Sequence, residues 1–171
     1  MKKAIPKVEV IRNSKRQPFV KYLLEICKKD LPGLDIDLDG YDEILEKLQN
    51  LDYKSPEDAW KLSLEANAWL EYLANLKNVI YMVLQDLETN KIATIAEVSI
   101  GHEPDKPTKG NRIANKDPSV IEVRKRRNHI ETLYNLIVDK MDVLEKAHYF
   151  CKTTCEWNFR LLEAKSRGNF K

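Results

Sequence analysis

Apolar side chains return every seven residues on two interleaved rows between Leu62 and Leu87. Leu62, Trp69, Leu76 and Val83 form one row, and Ala66, Leu73, Ile80 and Leu87 the other. A seven-residue repeat keeps a and d positions on one side of an α-helix, the pattern of a coiled-coil seam. It leaves a strand no consistent face, because strand side chains alternate with a period of two. The start signal fits a helix as well. Ser55 stands at the cap, Pro56 at the first helical position, and Glu57 and Asp58 beside the positive end of the dipole. The pattern weakens at Asn90 and Thr94, but Ile92, Ile95, Ala96 and Val98 carry apolar character to Ile100, and no Pro or Gly interrupts the chain after Pro56. The stretch from 56 to 100 therefore predicts a helix about 67 Å long.

The start signal recurs at Asp117-Pro118, with heptads behind it: Val123, Ile130, Ile137, Leu144 and Cys151 on one row, Tyr134, Met141, His148, Cys155 and Leu162 on the other. Gly168 is placed as a stop, with Lys165 and Arg167 in the final turn where the dipole favours cations. Between the two lie Gly101, Pro104, Pro107 and Gly110 among polar residues, which predict a polar loop over 101–117. Two long helices joined by one loop predict an all-α fold, a long antiparallel helical hairpin of about 56–100 and 118–165 with coiled-coil-like seams. Tyr72, Val79, Leu133 and Ala147 lie off the strict rows and widen the apolar stripes. That width calls for further helices, from the N-terminal region or from other copies, and a homo-oligomer is expected.

The chain divides accordingly into a hairpin domain over 55–171 and a less regular part over 1–54. In the latter, Val8-Glu9-Val10-Ile11 suggests an extended arm. Pro18 to Asp30 predicts a short helix with Phe19, Leu23, Leu24 and Ile26 inward, ended by Pro32-Gly33. A second short helix is expected from Tyr41 to Asn50, capped by Asp39.

The 171 residues carry a net charge of +2, but this figure is a sum of opposed blocks. Residues 1–16 carry +5, residues 35–58 carry −7 and residues 119–171 carry +4. Such asymmetry marks either an arm for an anionic partner or segments that attract one another. No apolar run approaches the roughly 20 residues of a membrane-spanning helix, so no membrane contact is expected. No apolar stretch follows Lys2 and Lys3, so no signal peptide is expected. Three cysteines without a disulfide framework favour a reducing compartment, hence a cytoplasmic protein. Five glycines leave little room for glycine-rich nucleotide loops. No serine elbow, phosphate loop or zinc-protease motif is present and no cofactor is implied, so a non-enzymatic role is expected.

Three clusters remain as candidate sites. Asp35, Asp37 and Asp39, followed by Gly40 and Glu46, fit the oxygen-ligand positions of a calcium loop. Against this stand the apolar Leu38, Asp42 at a normally apolar position, and the break at Pro32-Gly33. The plainer reading is an alternating segment with Leu34, Ile36 and Leu38 inward and the acids outward. His148, Cys151 and Cys155 share one helical face and are zinc-ligand types, but they also occupy seam positions, where cysteine packs well. Arg124, Lys125, Arg126 and Arg127 crowd little more than one turn, close to Lys106, Lys109, Arg112 and Lys116 in the loop. Together they form the footprint of a phosphate-backbone site, with His102, Asn128, His129 and Tyr134 as auxiliary contacts. The alternative is a solvated helix face paired with the −7 segment of this or a neighbouring copy.

The order of parts resembles the tailed-phage recombination mediators of the UvsY family, mainly over residues 62–171. The resembling features are Glu65-Ala66-Asn67-Ala68-Trp69-Leu70 in the first long helix, the polar loop, the helix start at Lys116-Asp117 and the ending Lys165-Ser166-Arg167-Gly168. The resemblance implies an oligomeric accessory protein that binds single-stranded DNA and helps to load a RecA-like recombinase, with single-strand binding protein as a further partner. The family carries a basic motif toward the end of its first long helix, whereas Ile92-Ala93-Thr94-Ile95-Ala96-Glu97 carries none here. DNA binding would then fall to the loop and to Arg124–Arg127. The other expectation is a structural or protein-interaction hairpin, such as an assembly chaperone or inhibitor, without affinity for DNA.

Overall fold

A computed structural model describes residues 16–52, 55–102 and 107–168. The expected extended arm at Val8–Ile11, most of the +5 block and Lys106 lie outside these residues. The described residues form five helices and no strand: α1 (Arg16–Cys27), α2 (Asp39–Gln49), α3 (Pro56–His102), α4 (Pro107–Ala114) and α5 (Pro118–Ser166). The all-α fold and the long hairpin are as the heptads predict.

The ends of the long helices follow local chemistry. The Asp58 N–H donates to the Ser55 hydroxyl at 3.3 Å at the start of α3. Asp117 caps α5, accepting from the Ser119 N–H at 2.8 Å, with Pro118 in the first turn. Arg167 ends α5 with its N–H bonded to the Glu163 carbonyl, and Gly168 follows.

The seam is the antiparallel contact of α3 with α5. Leu62, Ala66, Leu73, Leu76, Ile80 and Leu87 are buried on α3, and Ile130, Leu133, Ile137, Leu144, Cys151 and Cys155 on α5. Val83, Val123, Tyr134, Met141 and His148 are half-buried at the margins of the seam, and Trp69 and Leu162 turn away from it. Trp69 is half-buried and packs toward the lobe: a Cβ on Gly40 would stand 2.6 Å from its ring. Leu162 is 53% exposed, because Ser63 lies opposite His148. An antiparallel partner that begins at Pro56 therefore ends its cover near residue 155.

The lobe closes one side of the hairpin, α1 against α5 and α2 against α3. Leu23, Cys27, Leu31, Tyr41, Ile44 and Leu51 join the seam residues in one continuous core, so the two predicted parts of the chain share their interior. Leu38 is buried and Leu34 and Ile36 half-buried, with Asp35 and Asp37 exposed, as the alternation predicts. Phe19 is 52% exposed rather than inward. Asp39 is the first residue of α2, and the cap position belongs to Leu38, which makes no side-chain cap bond.

Cavity formation at the middle of the seam sets the first expectation. Leu73→Ala and Ile137→Ala should each cost about 2–5 kcal/mol of folding stability. Met82→Ala, on the exposed face, should change it by less than about 0.5 kcal/mol. Chemical denaturation followed by circular dichroism measures both.

Candidate nucleic-acid interface

The stretch expected to be a polar loop contains a helix. α3 runs on through Gly101 to His102, and Pro107 starts α4 instead of ending structure. Proline breaks a helix interior but suits the first turn, where its missing N–H is not needed. Gly110 is equally constructive. A Cβ there would meet the Ser99 hydroxyl at 2.5 Å and its carbonyl oxygen at 2.7 Å, so only glycine lets α4 lie this close to α3. Gly110 and Ala114 are buried and Ile113 half-buried, while Thr108, Lys109, Asn111 and Arg112 are exposed. The signal was present as Pro107 followed by Gly110, Ile113 and Ala114 at helical spacing.

α4 therefore turns two loop cations into side chains on a docked helix. No acidic residue occurs between Pro107 and Lys116. Lys116 is exposed in the turn that follows, and Lys125 is exposed in the second turn of α5. Arg124 is half-buried and its guanidinium donates to the Asn115 side-chain oxygen, tying the start of α5 to that turn. Lys109, Arg112, Lys116, Arg124 and Lys125 thus share one end of the hairpin.

Arg126 and Arg127 face elsewhere. Arg126 donates from Nε to Asp30 Oδ1 at 2.8 Å, and its terminal nitrogen reaches the same oxygen. The Asp30 side chain keeps only 5% of its surface exposed, and this pair fastens the end of α1 to α5. The bond from Asp30 raises the Arg126 pKa above its already high value. Arg127 donates from Nε to Glu88 at 2.8 Å and also pairs with Glu131. Lys91 joins Glu88 from the next turn of α3. The acidic partners are Asp30, Glu88 and Glu131, all outside the −7 segment of 35–58. Among the auxiliary candidates, Tyr134 is half-buried against Tyr81, ring centroids 5.8 Å apart. His102 and Asn128 are exposed and His129 half-buried.

The two metal-type clusters are built differently from what a metal needs. His148 Nδ1 lies 3.1 Å from the Ser63 hydroxyl and 3.0 Å from the Ser63 carbonyl oxygen, while Cys151 and Cys155 are buried in the seam. In the acidic segment α2 already begins at the fifth loop position, Asp39. Seven residues of helix then carry Glu46 about 10 Å along the axis, away from the turn in which a calcium loop gathers its ligands. Among the described residues no group of three His, Cys, Asp or Glu is placed to hold a metal ion.

Burial pushes the Cys27 thiol up to about 11, with a smaller contribution from Asp30, and burial raises Cys151 as well. Thiolate is the reactive form, so both should react slowly with a thiol reagent at pH 8. Arg126→Gln leaves Asp30 buried without its cation, at a cost of about 1–3 kcal/mol after allowing for the solvent that reaches Arg126. Cys27 should then label faster, while Cys151 stays protected; mass spectrometry of timed labelling reads the two separately. Glu88 carries a second expectation. The bond from Lys91, and then Arg127, holds its carboxyl below the ordinary 4.5. A carboxylate with a lowered folded pKa stabilises fully above its unfolded pKa, and that contribution is lost as pH falls through the folded value. Acid titration should show stability falling below about pH 4.5, with a shallower fall in Glu88→Gln.

Compared with protein-family models, curated proteins and solved structures, the chain gives no match.

Proposed function

We propose that the protein is a non-enzymatic, single-stranded-DNA-binding accessory protein of recombination, which grips the phosphate backbone with the α4–α5 end of its hairpin. The observation that carries this reading is α4. A short helix without acidic residues is docked through Gly110 so that Lys109 and Arg112 face outward beside Lys116 and Lys125. Cationic side chains on a fixed platform attract a polyphosphate chain with little further ordering, and releasing its counterions drives binding. Sequence-independent recognition needs that charge density more than base contacts. The resemblance to UvsY-family mediators supports the same reading and adds its partners: a RecA-like recombinase, single-strand binding protein and further copies of the chain. In this reading Arg126 and Arg127 hold the fold that presents the surface.

The second reading, a protein-interaction hairpin without DNA affinity, is favoured by the other end of the molecule. There Trp60, Leu64, Trp157, Phe159 and Leu162 are exposed.

A fluorescence anisotropy titration with a short labelled oligodeoxythymidine separates the two. The first reading expects binding that weakens steeply with salt, the slope of log affinity against log salt being about −0.7 per phosphate neutralised. Joint reversal of Arg112, Lys116 and Lys125 to Glu should abolish binding with helicity unchanged. Absence of binding by the wild type at low salt would leave the protein-interaction reading. Gly110→Ala should weaken binding by displacing α4, and should lower stability by about 1–3 kcal/mol.

A further inference from the structure

α5 carries a second heptad on a side that α3 does not cover. Positions 143, 147, 150, 154, 157, 161 and 164 alternate steps of four and three, and all are apolar except Thr154. This is a/d spacing, offset around the helix from the buried row of Ile130, Ile137, Leu144 and Cys151. Trp157 is 64% exposed and Val143 is also exposed, while Ala147, Leu161 and Ala164 are half-buried. The row continues along 156–166, which extends past the start of α3 by about 16 Å. A helix that exposes a heptad over three repeats is built to receive another helix.

Charge identifies the occupant. Lys146 and Arg160 border one edge of the row and Lys165 the other, whereas Glu145, Glu156 and Glu163 lie farther round the helix. A second copy of α5 fits poorly. Antiparallel pairing centred on 153 sets Lys146 against Arg160, and parallel pairing sets Arg160 beside Lys165; like charges at these flanking positions oppose association. Residues 1–15 are basic as well, five cations against Glu9. α2 is acidic, but its apolar residues Tyr41 and Ile44 are already buried in the chain's own core.

We infer that this row docks an acidic amphipathic helix of a partner protein. The partner's apolar seam packs on Trp157 and Leu161, and its flanking carboxylates meet Lys146, Arg160 and Lys165. The site lies at the opposite end of α5 from the α4 cations and stands whether or not the protein binds DNA.

The test uses the full chain and two fluorescein-labelled synthetic helical peptides about four heptads long. Both carry Leu at a and d; one has Glu and the other Lys at e and g. Anisotropy should show the Glu peptide binding at least about tenfold more tightly than the Lys peptide. Trp157→Ser with Leu161→Ser should lose at least about tenfold in that affinity, with unchanged circular dichroism. Reversal of Lys146, Arg160 and Lys165 to Glu should switch the preference to the Lys peptide. Equal affinity for the two peptides, or binding of neither, would overturn the inference. So would sedimentation showing that the chain alone self-associates through Trp157, because a second copy would then be the occupant.

Discussion

Everything in this molecule depends on the antiparallel seam between α3 and α5. Seven-residue spacing lets Leu73, Ile80, Ile130, Ile137 and Leu144 disappear completely from solvent, and the burial of such side chains is the main favourable term in folding. The seam also fixes a ruler. Ser63 opposite His148 at one end and Glu88 opposite Arg127 toward the other set which residues can meet. From that register follow the overhang of α5, the position of the connection and the side on which the lobe can dock. Polar contacts trim the register, but burial supplies the energy, since partly exposed ion pairs contribute little on their own.

The same register divides the cations of α5 by role. Four consecutive basic residues point in four directions on a helix. Arg126 meets Asp30 and Arg127 meets Glu88, so both are used to hold α1 and α3. Lys125 remains on the surface, and Arg124 fastens the turn that follows α4. The molecule is consequently polar along its length, with cations gathered on α4 and the start of α5 and exposed aromatic side chains near the start of α3 and the end of α5.

Much of this was legible in the sequence. The heptads, Ser55 with Pro56, and Asp117 with Pro118 placed both long helices, because periodicity and capping are local properties. The alternation over Leu34–Leu38 was legible for the same reason. α4 is not legible there, because Pro107 and Gly110 both read as breakers along the chain; whether glycine breaks a helix or admits a neighbour depends on Ser99, which lies eleven residues earlier in sequence but in contact in space. Trp69 shows a related limit: its heptad position is right, yet its ring turns to Gly40 because the lobe supplies a partner there.

Heptad spacing and capping residues alone make the chain helical and set where its long helices start and stop, and the order of residues distributes its charge in blocks. Which of those charges are paired inside the fold follows from packing instead. Spacing along a helix fixes the direction of a side chain but says nothing of what stands opposite. The partners of Arg126 and Arg127 lie 96 and 39 residues away along the chain. The basic cluster read from the sequence was therefore a list of cations, which the packing of α1, α3 and α4 against α5 separated into bolts and an exposed surface.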